Sequence, residues 1–316
     1  MSPSTRYAPV FIMIAASLWA IDAIFRTQLT YTIPPSSIVL FEHTLGFLFL
    51  SPIFFKYLDV YKKMSAKVWV NFLVMTVCSS VLGGLLFTAA LQQSFAFNDF
   101  VTPLLLQKLQ PLFVVGLSMI LLKEKVTLRF LILAALALVG SYMITFGTEV
   151  VSLALKGKEM IYLMSIGATF CWGAGTIMSK YGLSKIPFPA ATALRFLLAI
   201  PVALIFALAL GQTYSPMALG FNEIWRFFVI AGITGAAGVY LYYKGLQHTD
   251  ARVSTFAELM LPLVSIIIAT TALNPYGAAQ QLSVANIVGI VIMLTSIVLI
   301  SFDAANATVK EPVVKK

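Results

Sequence analysis

Ten apolar runs, each long enough to cross a lipid bilayer, recur along this chain of 316 residues. They cover roughly residues 8–29, 36–56, 68–91, 100–122 and 127–147, then 159–180, 189–210, 224–246, 252–273 and 284–302. At ~1.5 Å of rise per residue, about 20 residues cross a hydrocarbon core ~30 Å thick. The strands of a transmembrane barrel are ~10-residue segments of alternating character, and these runs are too long for that. With 60% of residues hydrophobic and 10% charged, no water-soluble fold of this size covers its apolar surface, so the solvent is lipid. The expected fold is an all-α integral membrane protein of about ten transmembrane helices.

Lysine and arginine assign the sides. With the N-terminus in the cytoplasm, the inner loops and helix ends hold Arg6, Lys56, Lys62, Lys63, Lys67, Lys123, Lys125, Arg129, Lys180, Lys185, Lys244, Arg252, Lys310, Lys315 and Lys316. The outer side holds Arg26, Lys156, Lys158 and Arg226. The positive-inside rule then puts both termini in the cytoplasm of a multi-pass protein of the cell (inner) membrane. The formal charge of +9 thus reflects orientation and does not suggest a nucleic-acid partner. Only Arg6 precedes the first run, with no clear small-residue cleavage site, so that run reads as a retained helix.

The chain is written twice. Trp19 matches Trp172, Ile33-Pro34 matches Ile186-Pro187, and Leu91-Gln92 matches Leu246-Gln247. Gly83 pairs with Gly238 in the same register, and Pro111 with Pro262 after a small shift. The expected division is a first repeat over 1–150, a second over 151–303 and a short, charged, disordered cytoplasmic tail over 304–316. Five spans per repeat is an odd number, so the second copy enters the membrane upside down. Inverted repeats are typical of secondary transporters, whose substrate sites lie near the midplane at the repeat interface.

The segment LQPLFVVGLSMILLKEKVTLRFLILAALALVGSYMI, residues 109–144, carries a proline early in the fourth span, Glu124 in a short loop and a small-residue-rich fifth span. It resembles the end of each repeat in the drug/metabolite transporter superfamily, in its ten-helix EamA-type branch. The second half offers Glu258-Leu-Met-Leu-Pro262, then departs from the pattern where NPYGAAQQLS replaces the short acidic loop. The resemblance implies that helices 1–4 and 6–9 surround a central cavity, with helices 5 and 10 peripheral. It also implies small-metabolite substrates such as amino acids, commonly exported. A homodimer would form through the peripheral helices 5 and 10.

Ionisable residues inside spans cost ~2.5–3.5 kcal/mol each on insertion scales and normally face a cavity or a partner. This chain has Asp22 and Arg26 on span 1, Glu42 and His43 on span 2, Lys108 on span 4, Arg195 on span 7 and Glu258 on span 9. Topology sorts Asp22, Arg26, Glu42 and Lys108 into the outer half, and Arg195 and Glu258 into the inner half. The expected pairs are Lys108 with Glu42 or Asp22, and Arg195 with Glu258, two layers that bracket a substrate. Arg26, close to the outer interface, reads as well as a snorkelling end residue. Substrate-binding or gating candidates are Trp19, Asp22, Glu42, Gln107, Lys108, Gln110, Trp172, Arg195, Tyr240 and Glu258. Tyr242 and Tyr243, near the inner end, read better as interface anchors. Glu42 and Glu258 are the proton-coupling candidates, and Pro103, Pro111 and Pro262 loosen helices 4 and 9.

No GxxxxGK loop appears, so ATP is not the expected energy source. Two cysteines, Cys78 and Cys171, and two histidines make no metal set or disulfide framework, and no cofactor is expected. His43 has no serine elbow and Asp22 no second deep aspartate, which argues against a membrane enzyme. Cavity charges of both signs suit amino acids, related zwitterions or small organic anions, moved by alternating access through proton coupling or exchange. A carrier of cationic drugs or other metabolites, and a channel, are the alternatives.

Overall fold

The computed structural model describes residues 7–97, 101–149, 157–275 and 277–310. Among them are ten helices long and apolar enough to span a membrane. These are α1 (Ala8–Leu29), α2 (Pro35–Lys56), α3 (Ala66–Ser94), α4 (Thr102–Leu122), α5 (Leu128–Phe146), α6 (Glu159–Leu183), α7 (Phe188–Ala209), α8 (Phe221–Leu246), α9 (Ala251–Ala269) and α10 (Val284–Asp303). Helices satisfy the backbone internally where lipid offers no hydrogen bond. Hydroxyls inside them do the same: those of Ser94, Ser165 and Thr192 donate to carbonyls one turn back. Prolines sit in the first turns of α2 and α7, where the missing N–H costs nothing.

The span limits read from hydropathy shift by a few residues at several helix ends. Helix α9 stops at Ala269, and α3 extends to Ala66 and Ser94. The helix of α10 continues to Lys310, into the stretch expected to be a disordered tail. Arg6, Lys156, Lys315 and Lys316 lie outside the described residues.

The halves interlock. Helix α1 packs against α8 and α9 of the other half, and α6 packs against α3 and α4. Helices α2 and α7 pair with each other, as do α5 and α10. Exchanging the repeats reproduces each of these contacts, as the two-repeat architecture requires. The repeat also holds at the level of single hydrogen bonds. Gln92 on α3 donates to the Thr30 carbonyl at the end of α1 at 3.1 Å. Its mate Gln247, just past α8, donates to the Leu183 carbonyl at the end of α6, also at 3.1 Å.

One end of the bundle carries Lys56, Lys62, Lys63, Lys67, Lys123, Lys125 and Lys185; we call it the lysine-rich end. There Ile12, Phe72, Met75, Leu183, Tyr243, Leu246 and Ala257 form one buried cluster drawn from α1, α3, α6, α8 and α9. It plugs the bundle between the helix ends. Helix α10 clamps α5 at both ends: Asn286 donates to the carbonyls of Met143 and Ile144, and Asp303 pairs with Arg129 at 2.8 Å.

Glu124 has a defined structural task. From the loop between α4 and α5 it accepts from the backbone N–H groups of Ala251 and Arg252 at 2.9 and 3.1 Å, capping the N-terminus of α9. A carboxylate there satisfies orphan donors and opposes the positive end of the helix dipole.

Candidate functional site

Two of the spans are broken in their middle. Helix α4 is interrupted at Lys108 and Leu109, between helical segments Val101–Gln107 and Gln110–Leu117. Helix α9 is interrupted at Glu258 and Leu259, between Ala251–Ala257 and Met260–Ala269. Each break falls just ahead of a proline, Pro111 or Pro262. A proline has no N–H for the carbonyl one turn back, so the helix opens there. Pro103 has no such effect, contrary to the sequence expectation, because it lies in the first turn of its segment, where proline is tolerated.

Helices α3 and α8 are locally widened. Their backbones adopt π-helical turns over Thr76–Leu82 and Val229–Ala237, each ending against a glycine, Gly83 or Gly238. The glycines receive the tryptophans of the opposite half. A Cβ on Gly83 would lie 2.7 Å from Trp172 Nε1, and one on Gly238 would lie 3.1 Å from Trp19 Nε1. Each tryptophan then meets one aromatic partner across the repeat interface. Trp19 and Tyr242 have ring centroids 5.2 Å apart at 55°; Trp172 and Phe87 have the same spacing and angle.

These elements enclose a central cavity of about 320 Å³. Both aromatic pairs line it, with Asp22, Arg26, Glu42, His43, Gln107, Lys108, Gln110, Arg195 and Glu258. Pro111 and Pro262 reach the wall. Phe72, Met75 and Tyr243 pack toward the lysine-rich end and do not line the cavity, whose wall runs the other way to Thr27, Leu91, Leu104 and Thr145. Helix α5 contributes Ser141 and Thr145, so it is not wholly peripheral as the resemblance implied.

The charges pair differently from the sequence expectation. Arg26, which the sequence places as readily at a snorkelling helix end, is a half-buried hub. It bonds Asp22 one turn back on α1 and reaches Glu42 on α2 at 2.9 Å. Thr234 on α8 donates to Asp22 at 2.6 Å. Glu42 and Asp22 are therefore taken by Arg26 and not by Lys108. Arg195 does not meet Glu258: it donates to Ser80 at 2.6 Å, and to Ser79 and Tyr243 at 3.1 Å each. Glu258 accepts from Tyr242 and Gln110 at 2.9 Å each. Neutral hydroxyl and amide groups have replaced the expected counter-ions in this half. His43 stays on its own helix, with Nδ1 donating to the Val39 carbonyl at 2.8 Å.

Two further corrections concern tyrosines. Tyr240 faces away from the cavity and packs edge-on against Phe188. Its neighbour Tyr242 lines the cavity, and Tyr243 is fully buried beneath it. Successive residues on a helix point ~100° apart, so the aromatic wall of α8 comes from Tyr242 and not from Tyr240. The sequence reading also passed over Phe87, which only its place opposite Trp172 distinguishes from other span phenylalanines.

The profile of the EamA-like transporter family matches residues 6–146 and again residues 159–302. The chain belongs to the EamA-like transporter family. This membership makes it a secondary transporter of small molecules, a multi-pass membrane protein with a transporter fold rather than a catalytic one. Among similar proteins, the riboflavin transporter ImpX of Fusobacterium nucleatum is 28% identical over 297 residues, covering 92% of this chain and 96% of that protein. An uncharacterised transporter of Synechocystis is 24% identical over 216 residues, 66% of this chain and 60% of that one. A crystal structure with 16% sequence identity superposes with a TM-score of 0.73, covering 97% of this chain and 99% of the other. At that identity it shows a shared fold and nothing finer.

Proposed function

We propose that this EamA-like protein carries a planar, hydrogen-bonding heteroaromatic metabolite of riboflavin's class by alternating access. The observation that carries this reading is the pair of symmetry-related aromatic couples, Trp19–Tyr242 and Trp172–Phe87, facing one cavity of about 320 Å³. Cavities of ~300–1,000 Å³ enclose ligands of that size, and aromatic walls favour flat rings. The relative ImpX, a riboflavin transporter, agrees with it.

An amino acid, the substrate expected from sequence, fits less well. That reading needed free charges of both signs. Asp22, Glu42 and Arg26 satisfy one another, Arg195 is held by hydroxyls, and Glu258 by Tyr242 and Gln110. Glu42, tied to Arg26, is the weaker proton-coupling candidate; Glu258, bonded by neutral donors, is the stronger. The lysine-rich end faces the cytoplasm, and the cavity opens toward the outside. Maleimide labelling from outside whole cells checks this orientation. Ser215→Cys should react and Ser65→Cys should not, in a background lacking Cys78 and Cys171; the reverse pattern would sink it.

Uptake into proteoliposomes tests the substrate class. Radiolabelled riboflavin should enter saturably and be displaced by planar rings but not by amino acids. Trp19→Ala and Trp172→Ala should each cut the rate about tenfold, as expected for loss of one aromatic wall. Saturable amino-acid uptake, with riboflavin neither carried nor competing, would overturn the proposal.

A further inference from the structure

We infer that Gln107 and Lys108 form a one-sided donor subsite that reads ring-bound carbonyl or carboxylate oxygens on one edge of the substrate. The inference rests on the planar-ring reading above and gives that ring an orientation.

Every other deep ionic group already has partners. Arg26 is occupied by Asp22 and Glu42, Arg195 by Ser79, Ser80 and Tyr243, and Glu258 by Tyr242 and Gln110. Lys108 also lines the cavity, yet among the described residues no carboxylate lies within 4.0 Å of it and no hydrogen bond occupies its Nζ. The side-chain amide of Gln107 is likewise uncommitted and likewise on the wall. A lysine amine at this depth, with no carboxylate beside it among the described residues, is a donor kept for a ligand.

The break in α4 fixes where these donors sit. Thr169 on α6 donates to the Leu106 carbonyl at 3.2 Å, which sets the break beside the helix that carries Trp172. A ring lying against Trp172 and Phe87 would therefore present its edge to Gln107 and Lys108.

The repeat makes the subsite one-sided. Counting back from Pro111 and Pro262, the counterpart of Lys108 is Leu259 and that of Gln110 is Leu261, and both leucines line the cavity. At Lys108 the α4 wall offers a donor where the α9 wall offers the hydrocarbon of Leu259, and Glu258, the counterpart of Gln107, is an acceptor already held by Tyr242 and Gln110. A ring with oxygens along one edge and an apolar opposite edge satisfies both walls in a single orientation, although the cavity is built on a twofold plan.

Equilibrium dialysis of the purified full-length chain in detergent tests this, with three planar probes. Riboflavin and lumichrome carry a dione edge; phenazine is a tricycle without one. Lys108→Met should weaken riboflavin and lumichrome binding about ten- to hundredfold, the loss of one charge-assisted hydrogen bond. Phenazine binding should stay unchanged in that variant, which also shows that the aromatic walls remain folded. Lys108→Arg should restore most of the dione affinity, and Gln107→Leu should give a smaller loss of the same selectivity. Unchanged lumichrome binding in Lys108→Met would overturn the inference and leave the planar-ring reading standing. Equal losses for lumichrome and phenazine would also overturn it, because Lys108 would then be holding the cavity together. If the wild-type chain binds none of the three rings, the planar-ring reading fails and this inference with it.

Discussion

Arg26 lies between two carboxylates, one on its own helix and one on α2, with Thr234 completing the shell around Asp22. Removing the cation leaves like charges facing each other in a poorly solvated site. Breaking such a buried pair typically costs ~3–5 kcal/mol. Arg26→Met should therefore lower the thermal unfolding midpoint in detergent sharply. Adding Asp22→Asn and Glu42→Gln to it should recover most of the loss, since no charge is then stranded; equal midpoints for the single variant and the wild type would contradict the pairing. Which residues carry charge into the membrane was legible in the sequence, but which residue each would meet was not: one-turn spacing puts Asp22 and Arg26 on one face, yet the expected partner of Asp22 was Lys108. The Glu42 contact depends on how α1 and α2 rotate against each other. The hydroxyls that replaced counter-ions at Arg195 lie on α3 and α8, and nothing in a string of small polar residues marks them as partners of that arginine. Tyr240 and Tyr242 show the same limit, because the phase of a helix that is apolar nearly all round is set by packing and not by its own pattern.

At the level of elements, the tryptophan–glycine contacts join the halves. The matches of Trp19 with Trp172 and of Gly83 with Gly238 stand out in the sequence as repeats. That each tryptophan seats on the other half's glycine follows only from three-dimensional packing. Gly83→Ala would place a methyl group 2.7 Å from Trp172 Nε1, whereas Gly238→Ala meets Trp19 Nε1 at 3.1 Å. Overpacking typically costs ~1–3 kcal/mol, so Gly83→Ala should destabilise more than Gly238→Ala. Differential scanning fluorimetry gives the order, and the opposite ranking would argue against this packing. The helix breaks were legible from Pro111 and Pro262, because a missing N–H is a local property. The π-helical widening of α3 and α8 was not, since no residue type demands it.

Across the whole molecule, two inverted copies have kept a common frame and diverged in chemistry. The frame consists of the crossed tryptophans, the mated helix breaks, and Gln92 and Gln247 bonding the ends of α1 and α6. The divergence lies in charge and polarity: Glu42 is the mate of Arg195, Gln107 of Glu258, Tyr242 of Phe87. Such a pairing suits a carrier whose two gates open in turn on the same plan while the bound molecule meets unlike walls. The halves are not separable units, because α1 and α6 each pack into the opposite repeat. The most direct test of this account is a structure of the chain determined with riboflavin bound. It should place the ring in the central cavity against Trp172 and Phe87, with the dione edge within hydrogen-bonding distance of Lys108. A ring found outside that cavity, or inside it but clear of all four aromatic side chains, would contradict the account.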